Sequence, residues 1–269
     1  MEINNNLNMD DLTKISKNYK TDKSGEHEYT KIYNLFMSKY KNEKIKLLEI
    51  GIGGYKESSL GGGSLLMWSE YFSEGMIYGL DIEKKEIELR KNIKIFQGSQ
   101  VNEYDLNNII KETGNLDFII DDGSHLNSHQ IKTFEILFPK LNYGGYYFIE
   151  DIQTSYFLKY GGDGFYLDNK KNAVNYFKRL VDKINFQEIE NPFFKPDYFC
   201  KNITEIHFYH NLIVIKKEKN EEKSNILQDN KMVVKGKNLL SIRKFIKNSK
   251  YFFYLLLGKY RELIDILKF

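Results

Sequence analysis

Leu116-Asp117-Phe118-Ile119-Ile120-Asp121-Asp122-Gly123-Ser124-His125 and Gly144-Gly145-Tyr146-Tyr147-Phe148-Ile149-Glu150-Asp151 decide how this chain folds. Each stretch joins a β-branched and aromatic run to a terminal group of acids, and each reads as a short buried strand. Between them, residues 128–141 carry Ile131, Phe134, Ile136, Leu137, Phe138 and Leu141 at helical spacing. Strand, helix, strand makes the two strands parallel neighbours joined by a right-handed crossover. Parallel neighbours end at the same sheet edge, where open α/β folds bind ligands. Asp121, Asp122, Glu150 and Asp151 are therefore expected at one mouth, with His125 a few residues beyond the first strand.

Four carboxylates at one rim repel unless a cation or protons neutralise them. Hard oxygen ligands with room left for water suit Mg²⁺ or another small divalent ion. Acids at strand ends also cap helices or bind a ribose. Asp121 reads first as such a structural acid, whereas Asp122, Glu150 and Asp151 together read as metal ligands.

Outward from this centre, residues 44–52 (KIKLLEIGI) form a first strand that runs into Gly51-Ile52-Gly53-Gly54. Glycines there allow a tight turn and close approach to a ligand, before a helix whose N-terminus favours polar or negative groups. A second cluster, Gly61-Gly62-Gly63-Ser64, stands just before Leu65-Leu66-Met67-Trp68 and predicts a long glycine loop ahead of that helix. The dinucleotide pattern G-x-G-x-x-G fails at Lys56, which argues against a nicotinamide oxidoreductase. Residues 76–82 make a second strand ending in Asp81, an acid placed as for ribose hydroxyls. Residues 93–98 make a third, followed by Ser99 and Gln100, and 101–113 a crossover helix. Helical spacing returns over 172–184, and 203–209 with 212–217 read as a hairpin. The expected fold is α/β, a Rossmann-like, doubly wound, mostly parallel seven-stranded sheet with a helical C-terminal extension. Its expected parts are lead-in helices or a flap (1–43), the sheet domain (44–217), and a basic linker with helical extension (218–269).

The lead-in stretch KNYKTDKSGEHEYTKIY (17–33) reads equally as a surface entry helix or as a flap over the mouth. With 41% hydrophobic and 15% aromatic residues the chain can bury a sizeable core. A lone cysteine, Cys200, excludes an intramolecular disulfide and Cys-rich zinc sites. The N-terminus lacks an apolar signal core and no stretch reaches a membrane span, so a cytoplasmic protein is expected. Residues 216–250 hold eleven Lys or Arg against four Asp or Glu, and 251–269 three against two, so of the net +3 the first 215 residues carry −5. An acidic body is not that of a nucleic-acid binder. Asn191-Pro192-Phe193-Phe194 superficially resembles the motif of nucleic-acid amino-methylases, but lies far from the end of the fourth strand where that motif belongs. The extension reads as helices packing on the body or on a second subunit, or as a basic amphipathic segment resting on an anionic membrane surface.

The ordered set Glu49-x-Gly51-x-Gly53-Gly54-Tyr55, Gly61-Gly62-Gly63-Ser64-Leu65, Trp68, Gly79-x-Asp81-Ile82, Gln97-Gly98-x-Gln100, Asp121-Asp122-Gly123-Ser124-His125 and Glu150-Asp151-x-x-Thr154-Ser155 resembles the class I S-adenosylmethionine-dependent sugar O-methyltransferases. The branch most similar is that of the mycinamicin and tetracenomycin antibiotic-sugar enzymes, and Thr21-Asp22-Lys23, His27-x-Tyr29-Thr30 and Tyr33 resemble its lead-in. The resemblance implies S-adenosylmethionine and Mg²⁺ as cofactors, with Asp122, Glu150 and Asp151 on the metal and His125 as general base. It places Tyr29, Glu49, Gly51, Gly53, Ser64, Asp81, Gln100 and Asp121 in the cofactor shell, Asp81 on the ribose. Ser99 stands where relatives often have Asp, and the large N-terminal auxiliary domain of the macrolide enzymes has no counterpart here.

The chemistry suits the residues. A sugar hydroxyl is a poor acid, so methyl transfer to it gains from a Lewis acid and a base. The expected function is metal-dependent O-methylation of a sugar or nucleotide-sugar acceptor, preferably a surface-polysaccharide sugar. A small natural-product glycoside, and a non-catalytic S-adenosylmethionine-binding module that recruits a partner, are the alternatives.

Overall fold

A computed structural model of the chain describes residues 9–189, 191 and 193–224. It divides into two units, the larger spanning Met1–Ile184 with Pro196–Glu221. Of the smaller unit, the described residues hold a 3-10 turn at Phe186–Glu188, with Glu188 accepting a hydrogen bond from Ser224. The C-terminal extension from residue 225 onward lies outside the described residues. Among those described, no helix is long and apolar enough to cross a membrane.

Two helices lead in. α1 (Asp11–Ser16) is capped by Asp10, whose carboxylate accepts from Thr13 N at 2.9 Å, and α2 spans Tyr29–Met37. The sheet domain then alternates: β1 (Lys46–Ile50), α3 (Gly63–Tyr71), β2 (Met76–Asp81), β3 (Ile93–Gln97), α4 (Glu103–Thr113), β4 (Leu116–Asp121), α5 (Asn127–Leu137) and β5 (Leu141–Ile149). Short helices α6 (Ala173–Lys178), α7 (Leu180–Ile184) and α8 (Tyr198–Asn202) precede the hairpin β6 (Ile203–Tyr209) and β7 (Leu212–Lys217). The strands lie in the order β3-β2-β1-β4-β5-β7-β6, with β7 antiparallel to both neighbours and the first five strands parallel. This is the Rossmann-like, doubly wound, mostly parallel seven-stranded sheet expected from the sequence.

Period-two alternation divides the core between the two faces. Leu48, Ile119 and Tyr147 face one way, onto Leu106, Phe134 and Phe177. Leu47, Phe118 and Phe148 face the other, onto Leu12, Tyr33 and Trp68 of the lead-in and α3. Ile50 pairs with Asp121, and Asp121 with Ile149, so β1, β4 and β5 end level. That register carries the acids to one rim.

Two expected boundaries move. The helix expected over 128–141 stops at Leu137, because Pro139 has no N–H to continue it. A 3-10 turn at Phe138–Lys140 follows, and Leu141 already belongs to β5. The helix expected over 172–184 is interrupted at Arg179, whose guanidinium reaches back to Lys170 O at 3.2 Å.

Candidate active site and metal centre

At the rim, Asp122 follows β4 directly and Glu150 and Asp151 follow β5. Into their midst reaches Lys23, from the loop between α1 and α2. Its Nζ lies 2.7 Å from Asp122 Oδ2, 2.7 Å from Glu150 Oε1 and 3.0 Å from Glu49 Oε1. Lys23 is 1% exposed, Glu49 0% and Glu150 2%, so this cluster is dry. Glu150 also accepts from Tyr33 OH, and Glu49 from Trp68 Nε1 at 3.1 Å. Burial works against the Lys23 charge, but Asp122, Glu150 and Glu49 outweigh it and hold its pKa well above the ordinary value. Burial, then the charge of Asp122, pushes Glu150 well above the carboxylate range, and burial raises Asp122 despite Lys23. Burial raises Glu49 as well, despite Lys23, so three acids share one ammonium.

The outer half of the rim faces the mouth. Asp122, His125 and Asp151, all partly buried, each offer one ligand atom, and those atoms lie within 4.8 Å of one another. His125 Nε2 is 3.7 Å from Asp151 Oδ2, and its buried Nδ1 has no hydrogen-bond partner. On the other oxygen, Asp151 accepts from Tyr29 OH at 2.9 Å, and His27 Nε2 stands 3.9 Å away, stacked on Tyr29. Both His125 (φ 56°) and Asp151 (φ 53°) adopt the left-handed conformation, which costs a non-glycine residue roughly 1–2 kcal/mol. Such strain is retained where the surroundings demand it, and it concentrates at functional sites. A convergent donor set and an orphaned imidazole nitrogen fit a divalent cation.

Along the same edge lies the glycine loop. Gly51 has φ 80°, and a Cβ on it would stand 2.1 Å from Asp122 O, so only glycine brings β1 and β4 this close. Asp81 Oδ2 accepts from Ile52 N at 3.2 Å and Oδ1 from Glu83 N at 2.9 Å, which anchors the loop to the end of β2. Ser64, 9% exposed, stands in the first turn of α3. Gly53, with φ 73°, turns the loop between them. Carboxylates at the ends of β1 and β2 around an open glycine turn suit a cofactor with a ribose and a cationic end.

Three residues expected in the cofactor shell are engaged by the protein itself: Glu49, held by Lys23 and Trp68, and the pair Gln100 and Asp121. Gln100 donates to Asp121 Oδ1 and Thr133 Oγ1, both at 3.1 Å, and accepts from Ser124 N at 2.8 Å. Asp121, 1% exposed, also accepts from Gly123 N at 3.4 Å, and burial pushes its pKa up to about 7. Together they brace the Asp122–His125 turn. Tyr29 stands with Asp151, not with the glycine loop.

Lys23, His27, Tyr29 and Tyr33 of the lead-in all turn inward onto the rim. Sequence reading picked out these residues but assigned no role to Lys23, Tyr33 or His27. Their one signal was a polar, aromatic-rich stretch ahead of the first strand.

No family model matches the chain. The mycinamicin VI 2''-O-methyltransferase of Micromonospora griseorubida is 39% identical over 214 residues, 79% of this chain and 54% of that protein. The demethylmacrocin O-methyltransferase of Streptomyces fradiae is likewise 39% identical over 79% and 54%. An 8-demethyl-8-alpha-L-rhamnosyl tetracenomycin-C 2'-O-methyltransferase of Streptomyces olivaceus is 34% identical over 78% and 55%. The chain thus spans about half the length of the curated relatives it matches. Among solved structures, the mycinamycin-pathway methyltransferase MycE in complex with Mg and SAH superposes with a TM-score of 0.77 at 37% identity, over 82% of this chain and 58% of that one.

Proposed function

We propose, on the premise that this chain is a relative of the antibiotic-sugar O-methyltransferases, that it moves a methyl group from S-adenosylmethionine to a sugar hydroxyl. The convergence of Asp122, His125 and Asp151 at the mouth carries the reading. Asp122 and Asp151 would hold Mg²⁺, with Glu150 braced behind them by Lys23 and Tyr33 and not in the open donor set, and His125 serves as general base. Residues 44–217 form the catalytic domain and 1–43 its lid. The relatives are named for mycinamicin, demethylmacrocin and tetracenomycin, which favours the sugar of a small glycoside over the surface-polysaccharide sugar expected from sequence.

When bound, S-adenosylmethionine supplies the methyl group and Mg²⁺ the Lewis acidity that makes a sugar hydroxyl easier to deprotonate. The protein's own share is positioning. Glu49, Ser64 and Asp81 line the cofactor edge beside the glycine loop. His125 takes the hydroxyl proton, with the Asp151 carboxylate 3.7 Å from its Nε2 to stabilise the imidazolium. Lys23 and Tyr33 hold Glu150, Tyr29 holds Asp151, and the flap that carries all three excludes water, which strengthens each of these interactions.

Mass spectrometry of a panel tests the reading: mycinamicin VI, demethylmacrocin, rhamnosyl tetracenomycin C and nucleotide sugars, each with S-adenosylmethionine and Mg²⁺, with and without chelator. A gain of one methyl on a glycoside, lost in chelator, is the expected result. Tight S-adenosylmethionine binding with no turnover on any acceptor makes the chain a binding module instead.

A further inference from the structure

Three strand ends deliver an acid to one atom. Glu49 is the last residue but one of β1, Asp122 follows β4 and Glu150 follows β5, and Ile50, Asp121 and Ile149 stand in register. The carboxylates of Glu49, Asp122 and Glu150 surround Lys23 Nζ at 3.0, 2.7 and 2.7 Å. Two of these acids keep a further, uncharged donor: Trp68 Nε1 at 3.1 Å from Glu49, and Tyr33 OH on Glu150. Their places therefore do not depend on the ammonium alone. Glu49 Oε1 is buried with no hydrogen-bond partner and faces Nζ as an ion pair. Asp122 differs from the other two: its side chain is 21% exposed, and it belongs both to this cluster and to the donor set at the mouth. The lysine is fixed from behind. Thr30 N donates to Lys23 O at 3.1 Å and Lys23 N to Thr21 Oγ1 at 3.3 Å. Lys20 O lies 1.9 Å from where a Cβ on Gly63 would stand, so the same loop is pressed onto the start of α3.

A structural ion pair needs one acid per ammonium, and a buried pair contributes little net stability. Three acids from three separate strand ends, converging on one dry point, are instead the oxygen shell of a cation. We propose that Glu49, Asp122 and Glu150 form a second cation site whose resident is the Lys23 ammonium, so that Lys23 excludes a second divalent ion and the centre works with one metal. The proposal rests on the metal part of the reading above and assigns Lys23 a positioning role in that centre. A carboxylate has two oxygens, so Asp122 can bridge the tethered ammonium and an ion at the mouth. The ammonium then draws on the charge of Asp122, which leaves the ion at the mouth less tightly held and more strongly Lewis-acidic. Because the ammonium is tethered, its effective concentration at the three acids is set by the fold and not by the metal supply. The inner charge is therefore in place before any divalent ion arrives.

Metal counting, not turnover, tests it, with Mn²⁺ titrated into the full chain and followed by electron paramagnetic resonance, without cofactor or acceptor. The wild type is expected to bind one ion and Lys23→Ala two, with the broadened spectrum of a close pair. The first ion should bind the variant about tenfold tighter or more, the scale on which partners behind a metal ligand act. The substitution removes the length of n-propylammonium, so that cation should displace the second ion from the variant and leave the wild-type count unchanged. A variant that binds no more ions than the wild type, or a wild type that binds two, overturns the proposal. So does a second ion that n-propylammonium leaves in place, since it then lies elsewhere. If Lys23→Ala is unfolded without metal, circular dichroism reads the same site: Mn²⁺ or n-propylammonium is expected to restore the fold, and a chain that stays unfolded in both overturns the proposal. No ion on the wild type and one displaceable ion on the variant leaves the inner site standing and sinks the metal reading of the mouth alone.

Discussion

Lys23 Nζ lies 2.7 Å from Glu150 Oε1, with both side chains at least 98% buried and 127 residues apart in sequence. A buried ammonium on a buried carboxylate adds little net stability, yet removing one partner strands the other. Lys23→Ala is therefore expected to destabilise the chain by about 3–5 kcal/mol. The loss is read from denaturant midpoints. Divalent metal should restore more stability to the variant than it adds to the wild type, because the stranded carboxylates gain a counter-charge; equal metal effects on both would contradict this placement.

His125→Ala should leave S-adenosylmethionine affinity in calorimetry unchanged while lowering turnover by roughly 10²–10⁴-fold, the usual worth of a positioned base. Loss of cofactor binding together with turnover would assign His125 to the cofactor and not to the proton.

Tyr29→Phe removes the hydroxyl that donates to Asp151 Oδ1 at 2.9 Å and lies 3.2 Å from Asn211 O. Partners behind a metal ligand are commonly worth about 10–100-fold in affinity. Manganese titration followed by electron paramagnetic resonance should show a loss in that range. An unchanged manganese affinity would separate Asp151 from the metal.

Gly51→Ala places a methyl 2.1 Å from Asp122 O at a backbone angle that alanine disfavours. The loop and the rim must part, so both S-adenosylmethionine and Mn²⁺ binding are expected to weaken together. Loss of one without the other would show that the two loops do not share this contact.

Lys217 supplies a pH signature away from the site. It is 5% exposed, and Nζ donates to Pro139 O at 2.9 Å and Leu141 O at 2.6 Å. Burial, then the neighbouring Lys140, lowers its pKa below the ordinary 10.5. The unfolded chain therefore holds this proton at pH values where the folded chain has released it. Stability contributed here rises with pH through the window between the lowered pKa and 10.5, and is flat above. Lys217→Met should abolish that alkaline rise in the difference between variant and wild-type unfolding curves; parallel curves would place the titration elsewhere.

Much of the site was legible in sequence because acids at the ends of apolar runs land at one rim whenever the strands are parallel neighbours. Asp122, Glu150, Asp151 and His125 follow from that rule, and Asp81 and the glycines from the turns after β1 and β2. Gln100 and Asp121 were recognised, but their bracing of the Asp122–His125 turn was not, since a side-chain amide shows its partners only in space. The end of α5 was missed by a few residues because Leu141 suits a helix face as well as a strand, and Pro139 decided between them.

By itself the sequence determined the order of strands and helices, the parallel core and the rim at which the acids meet, because hydrophobic periodicity and strand-end chemistry are local properties. Only the tertiary structure decided what the lead-in does. Lys23, His27, Tyr29 and Tyr33 lie far along the chain from the carboxylates they contact, and no spacing rule relates them. Packing the lead-in against the sheet buries Lys23, Tyr29 and Tyr33, and a buried charge or hydroxyl must find its partner in space. The division of the rim into a dry half held by Lys23 and an open half at Asp122, His125 and Asp151 is a consequence of that packing.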